Sequence, residues 1–213
     1  MSYDFGNKKV TAIFDELIER YPALSVCRDQ IEAAAAVMID SFKNGGKLLT
    51  CGNGGSASDA EHIVGELMKA FVLPRKLSKE MCDLLNDDYL SSNLQGALPA
   101  VSMIGESALS TAYANDCAPD LAFAQQVLGL GREGDVLLGI TTSGNSKNVL
   151  YAAKVARVQG MKIIMLTGEG GGKCVSLADV AVCVPEKETF KVQEYHLPVY
   201  HALCLAIEEE FFG

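Results

Sequence analysis

Residues 51–66 read CGNGGSASDAEHIVGE: a turn of small residues, then a histidine and a glutamate four positions apart. Gly52, Gly54 and Gly55 let the backbone approach a ligand closely, Asn53 and Ser56 offer side-chain partners, and Ser58 or Asp59 can cap the helix that follows. A second turn of this kind, TTSGNSKN, places Thr141, Thr142, Ser143, Asn145 and Ser146 ahead of another helical stretch. Hydroxyls, open amides and a helix N-terminus bind a phosphate without using net positive charge. That suits a chain whose formal net charge is −9. The first turn lacks the third glycine of a dinucleotide fingerprint, and no Gly-Lys-Ser/Thr follows it as in a P-loop. His62 and Glu66 lie on one face of the helix behind it, as a solvated surface pair or as a proton-transfer pair facing the mouth of the turn. Each turn, taken singly, also reads as a plain capped connection from strand to helix.

Short apolar runs must carry these turns: KLLTCG near 47–52, ALPAVSMI near 97–104, DVLLGIT near 135–141, KIIMLTG near 162–168 and VAVCVP near 180–185. Each is too short for a helix, and helical stretches such as SKNVLYAAKVARVQG separate the later ones. Alternating β and α predicts a parallel sheet covered on both faces. Ahead of it, Val10, Ile13, Phe14, Leu17 and Ile18 share one face, YPALS breaks the run, and a second segment spans Val26 to Phe42. This predicts a helical hairpin over residues 1–44. Residues 73–96 are polar and partly helical, an insertion at the sheet edge or a lid. From Glu188 to Phe212 a last helix is expected, kinked at Pro198. The whole, residues 1–213, reads as one domain.

Apolar residues make up 49% and charged residues 21%, with no apolar run of the roughly 18 residues a membrane span needs, so a soluble protein is expected. The start, MSYDFGNKKV, lacks a basic segment followed by an apolar core, and the cytoplasm is the expected location. Seven cysteines without a C-x-x-C pair predict small buried hydrophobes rather than disulfides or a cysteine zinc site. The negative charge disfavours nucleic acid and anionic membranes as partners.

Taken in order, CGNGGSASDAEH, YANDCAPD, GREGDVLLGITTSGNSKNV, LTGEGGGK and VQEYHLPVYHAL resemble the sugar isomerase (SIS) domain family and, within it, the phosphoheptose isomerases. The resemblance implies an α/β three-layer sandwich around a five-stranded parallel sheet, a homotetramer with sites at subunit interfaces, and conversion of sedoheptulose 7-phosphate to D-glycero-D-manno-heptose 7-phosphate. Asn53, Gly54, Gly55 and Ser56 match the family's first substrate-binding turn, Asn115 and Asp116 a sugar-contacting pair, and Thr141, Thr142, Ser143 and Ser146 its phosphate turn. His62, Glu66, Gln193 and His201 match positions that bind zinc in members of the family, Gln193 serving the substrate as well. Glu66 and His201 are the pair credited with proton transfer. The chain departs from the family pattern at residues 73–96, longer than the usual connection, which bears on the substrate's far end.

Moving a carbonyl from C2 to C1 needs a base and an acid on opposite sides of the substrate. Glu66 is a candidate base, and His201 can donate or accept a proton near neutral pH. Zinc could polarise the carbonyl, but a straight helix separates the backbones of Gln193 and His201 by roughly 12 Å. The two meet at one ion only by leaning together, through a break at Pro198, or from different subunits. The zinc set therefore rests on the resemblance. Non-catalytic SIS proteins that bind sugar phosphates, or that act as scaffolds in replication initiation, need the turns but not the acid and base. This chain keeps both.

Overall fold

The computed structural model describes Tyr3 and residues 5–213. Five strands, β1 (Leu48–Cys51), β2 (Ala100–Ser102), β3 (Val136–Ile140), β4 (Lys162–Gly168) and β5 (Val180–Val184), form one all-parallel sheet in the order β2-β1-β3-β4-β5. Every residue of β1 and β3 is buried, the burial expected when helices cover both faces of a parallel sheet.

The pleat divides the core into two sets. Leu48, Val136, Leu138, Ile164 and Leu166 face one side, where α1 (Lys8–Arg20), α2 (Arg28–Lys43), α3 (Gly55–Met68) and α9 (Thr189–Phe212) pack. Leu49, Cys51, Leu137, Ile163 and Met165 face the other, under α7 (Ala122–Leu130) and α8 (Lys147–Val158). The two N-terminal helices, joined by a 3-10 turn at Pro22–Cys27, both lie against α9. Residues 73–96 contain α4 (Lys79–Leu85) and α5 (Asp88–Asn93), neither with a buried residue, and the excursion is closed at its base by Gly96 N–H donating to Arg75 O at 2.7 Å. It leads into β2, the edge strand.

Chain order reverses between β1 and β3. The connection after β1 runs to one edge, through β2, and the next returns across to β3. At such a switch point the loops leaving the carboxyl ends of neighbouring strands diverge and leave a crevice where open α/β sheets bind ligands. Those loops are the two small-residue turns.

Four of the seven cysteines, Cys27, Cys51, Cys174 and Cys204, are buried as expected, whereas Cys82 and Cys183 are half-buried and Cys117 is exposed. Cys82 and Cys117 lie on α4 and just after α6 (Ser107–Asp116), helices that bury no residue and so offer no core to fill.

Candidate active site

The turn after β1 places Asn53 in solvent and Gly54 at φ 57°, where residues with a Cβ are strained. Gly55 opens α3 against the end of the Gln193 side chain. A Cβ at Gly55 would lie 2.5 Å from Gln193 Nε2, so the amide lies directly on the turn. Ser56, expected as a substrate contact, is buried at 3% exposure beneath Gly52.

The turn after β3 is folded by its own polar groups. Thr141 Oγ1 and Ser146 Oγ are 2.9 Å apart, Asn145 N–H donates to Ser143 Oγ at 3.2 Å, and Asn145 Nδ2 donates to Ser143 O at 2.7 Å. Gly144, at φ 65°, presses on the loop after β4 so closely that a Cβ would stand 2.0 Å from Gly171 O. Cys174 N–H donates to Gly144 O at 3.0 Å and Lys173 N–H to Asn145 Oδ1 at 3.2 Å. The packing leaves Ser143 exposed and Thr142 and Ser146 half-buried, with Thr141 buried.

The predicted acid–base residues lie elsewhere. Helices α3 and α9 run side by side in the same direction, so that Gly55 meets Gln193 at one end and, two turns on, His62 meets Tyr200 and His201. His62 Nε2 is 3.1 Å from Glu66 Oε1, His62 Nδ1 is 3.0 Å from the Tyr200 hydroxyl, and Lys69 Nζ donates to Glu66 Oε2 at 3.2 Å. The His201 ring stands edge-on to His62 with centroids 5.1 Å apart. A neutral His62 satisfies both neighbours only with Tyr200 donating to Nδ1 and Nε2–H donating to Glu66. The pair is thus neither a plain surface ion pair nor directed at the turn: it faces α9, about 10 Å along α3 from Gly55. His62 is still 42% exposed, so this seam opens to whatever lies over it.

Two groups in the seam escaped sequence reasoning. Tyr200, adjacent to His201 in the chain, is buried and orients His62; Asp59, read only as a possible helix cap, lies beside the Tyr200 hydroxyl. Burial, then the neighbouring Asp59 charge, pushes the phenol pKa up, so the proton stays on Tyr200. Burial also raises Asp59, with Tyr200 and His62 opposing. For His201, burial and then the His62 ring lower the pKa against the pull of Glu66, which keeps the imidazole neutral near pH 7. Its Nε2 is buried without a hydrogen-bond partner. His196 is fully buried, and burial drives its pKa down to about 4 against the opposing pull of the Thr167 backbone: a neutral core side chain.

Asn115 and Asp116 end α6, exposed, with Asn115 Nδ2 donating to Asp116 Oδ1 at 2.7 Å; no hydrogen bond among the described residues joins them to either turn or to the seam. The expected kink at Pro198 does not divide α9, which runs unbroken from Thr189 to Phe212, so Gln193 and His201 stay two turns apart. His62, Glu66 and His201 have the donor chemistry zinc takes. Among the described residues, however, no three His, Cys, Asp or Glu side chains are arranged to hold a metal ion, and Gln193 lies at the turn instead. Within one chain the zinc set does not converge. A cavity of about 550 Å³ opens at the amino ends of β3 and β4, beside Asp40, Gly134 and Lys162, at the opposite end of the strands from the two turns.

The SIS domain family matches residues 9–95 and again residues 108–206. The phosphoheptose isomerase of Leptospira biflexa is 39% identical over 183 residues, covering 86% of this chain and 85% of its own. Among solved structures, the phosphoheptose isomerase of Neisseria gonorrhoeae superposes with a TM-score of 0.74 at 36% identity, covering 95% of this chain and 98% of that one. That of Francisella tularensis gives 0.75 at 32%, covering 95% and 97%. With the parallel sheet, the paired turns at its switch point and this likeness along nearly the full length of both partners, the chain belongs to the phosphoheptose isomerase family of SIS-domain proteins.

Proposed function

We propose that this chain is a sugar-phosphate ketose/aldose isomerase that interconverts sedoheptulose 7-phosphate and D-glycero-D-manno-heptose 7-phosphate. One observation carries the reading against a binding-only role: beside the two ligand turns, Glu66 and His201 are kept together around His62 in one seam. A protein that only bound a sugar phosphate would need the turns alone.

In this reading the phosphate sits on the turn of Thr141, Thr142, Ser143 and Ser146 at the start of α8, where backbone amides and the helix dipole favour an anion. Asn53 and Gln193 meet the sugar at the first turn. Glu66 removes a proton from C1 of the ketose while His201 gives one to the C2 oxygen, leaving an enediol. His201 then takes the proton of the O1 hydroxyl and Glu66 returns its proton to C2. The carbonyl now stands at C1, and no atom has been gained or lost. Lys69 and His62 donate to the two oxygens of Glu66 and hold its carboxylate in place.

The turns and the seam are about 10 Å apart along α3. A homotetramer with sites at subunit interfaces would bring the seam of one chain to the turns of another, and zinc enters the proposal only as an ion held where chains meet. The apolar faces of α9 do not by themselves require a neighbour: Val199, Leu203 and Ile207 are buried in the chain's own core, where α1 and α2 lie over the helix. Among the described residues no helix is long and apolar enough to cross a membrane, in keeping with an enzyme of the cytoplasm.

The test is incubation with five-, six- and seven-carbon ketose phosphates while aldose formation is followed by NMR. Conversion of the seven-carbon substrate is expected. Failure to convert any of them, with binding retained, would favour a binding protein.

A further inference from the structure

Asn53 and Asn148 are 95 residues apart in sequence, yet their side-chain amides form a reciprocal pair: Asn53 Nδ2 donates to Asn148 Oδ1 at 3.0 Å and Asn148 Nδ2 donates to Asn53 Oδ1 at 2.8 Å. The pair spans the switch-point crevice, from the turn after β1 to the first turn of α8. Among the described residues these are the only hydrogen bonds between the two ligand turns; the second turn is otherwise fastened to the loop after β4, through Gly144 and Asn145. Among the described residues the first turn has no such hydrogen-bonded strut.

A third bond sets the direction of both amides. Val149 N–H donates to Asn148 Oδ1 at 3.0 Å. A backbone N–H only donates, so the atom it meets must be the oxygen. Asn148 Nδ2 must then face Asn53 Oδ1, and Asn53 Nδ2 must face Asn148 Oδ1. One helix-terminal amide thereby decides which way Asn53 points, leaving one N–H and one carbonyl lone pair of this exposed amide without a partner among the described residues. The free pair suits a polyol, whose hydroxyls donate and accept.

We propose that Asn148 is a positioning residue for substrate: it fixes the orientation of the Asn53 amide and the spacing between the sugar-contacting turn and the phosphate turn. The claim rests on the proposed isomerase reading for its substrate and on the hydrogen bonds above for its geometry. Asn53 is exposed and Asn148 half-buried, so Ala at either position leaves the core intact. The expected loss in kcat/KM for Asn148→Ala is about tenfold, the size of one or two hydrogen bonds, most of it in KM. Inorganic phosphate, which meets only the second turn, should inhibit the variant with an affinity within about twofold of the parent.

The experiment is a double-mutant cycle of Asn53→Ala and Asn148→Ala, read in kcat/KM for sedoheptulose 7-phosphate and in phosphate inhibition, together with the side-chain amide signals of Asn53 in a 15N spectrum. If Asn148 acts through Asn53, the double variant is about as impaired as Asn53→Ala alone. In the parent the Asn53 N–H that meets Asn148 Oδ1 should exchange slowly and resonate downfield of where a solvent-exposed Asn amide proton lies, and both features should be lost in Asn148→Ala. Fully additive losses, or a phosphate affinity that falls as far as kcat/KM, would overturn the proposal and make Asn148 a support of the phosphate turn. Unchanged Asn53 signals in Asn148→Ala would overturn it even if the parent converts no heptose phosphate, an outcome that would refute the isomerase reading separately.

Discussion

Arg75 and Glu208 offer a sharp test of how the seam is held. The guanidinium is 0% and the carboxylate 1% exposed, with Arg75 Nε donating to Glu208 Oε1 at 2.8 Å. Arg75 also donates to Leu67 O at 2.6 Å and Glu66 O at 2.9 Å, capping the last carbonyls of α3, and its guanidinium lies 4.7 Å from the centroid of the Phe212 ring. Glu208 further accepts from the backbone N–H groups of Phe71, Val72 and Leu73 at 2.8, 2.8 and 3.0 Å. Removing one partner strands the other charge in the core, a loss of about 3–5 kcal/mol. For a chain of this length that is a fall of roughly 10 °C in Tm. Glu208→Gln and Arg75→Met should therefore both melt about 10 °C lower at pH 7 and fixed protein concentration, while Arg75→Met with Glu208→Leu loses less than the two single losses combined. Burial would raise the Glu208 pKa, but the three backbone donors and Arg75 outweigh it and the net shift is downward. A carboxylate with a depressed folded pKa contributes stability above its unfolded pKa of about 4.3 and loses it as pH falls through the folded value. The gap between parent and Glu208→Gln should thus be full at pH 7 and close below about pH 4. Thermal melts followed by circular dichroism at both pH values measure it. A Glu208→Gln protein melting within about 2 °C of the parent at pH 7 would refute the idea that a buried charge is stranded.

Replacing Glu66 by Gln should lower turnover by about 10² or more with the melting temperature held, as for loss of a general base; near-normal turnover removes Glu66 from that role. Ser146→Leu should weaken the substrate and inorganic phosphate alike in competition assays, and a change confined to sugar selectivity would contradict a phosphate turn. Gly144→Ala should cost about 2 kcal/mol or more and loosen phosphate binding, because the left-handed backbone and the contact with Gly171 O leave no room for a methyl group; unchanged stability would show that the two loops do not interlock. Because Glu66 and His201 both flank His62 of the same chain, mixing Glu66→Gln with His201→Ala protein should restore no activity under subunit exchange, whereas Glu66→Gln mixed with Ser146→Leu should restore some if sites lie between chains.

Local pattern carried much of this architecture. KLLTCG, DVLLGIT and KIIMLTG each contain an observed strand, because a short apolar run between turns is buried on both faces whichever strands it pairs with, and VAVCVP holds the half-buried edge strand β5. Both ligand turns and the i,i+4 step from His62 to Glu66 were equally legible, since each lies within a few residues of chain. The direction in which His62 points was not: it depends on α9, whose Tyr200 is 138 residues away, and on α3 and α9 running parallel. The same holds for Asn53 with Asn148 and Arg75 with Glu208, whose partners are 95 and 133 residues off. An Asn after a glycine turn, an Arg in a polar insertion and a Glu near a chain end carry no periodicity that names a distant partner. Local pattern thus reaches the strands, the helices at the two ends of the chain, both turns and the family's motifs. That the turns meet at a switch point and the acid–base residues lie two helical turns away follows from strand order and helix register, which arise only when the whole chain is packed.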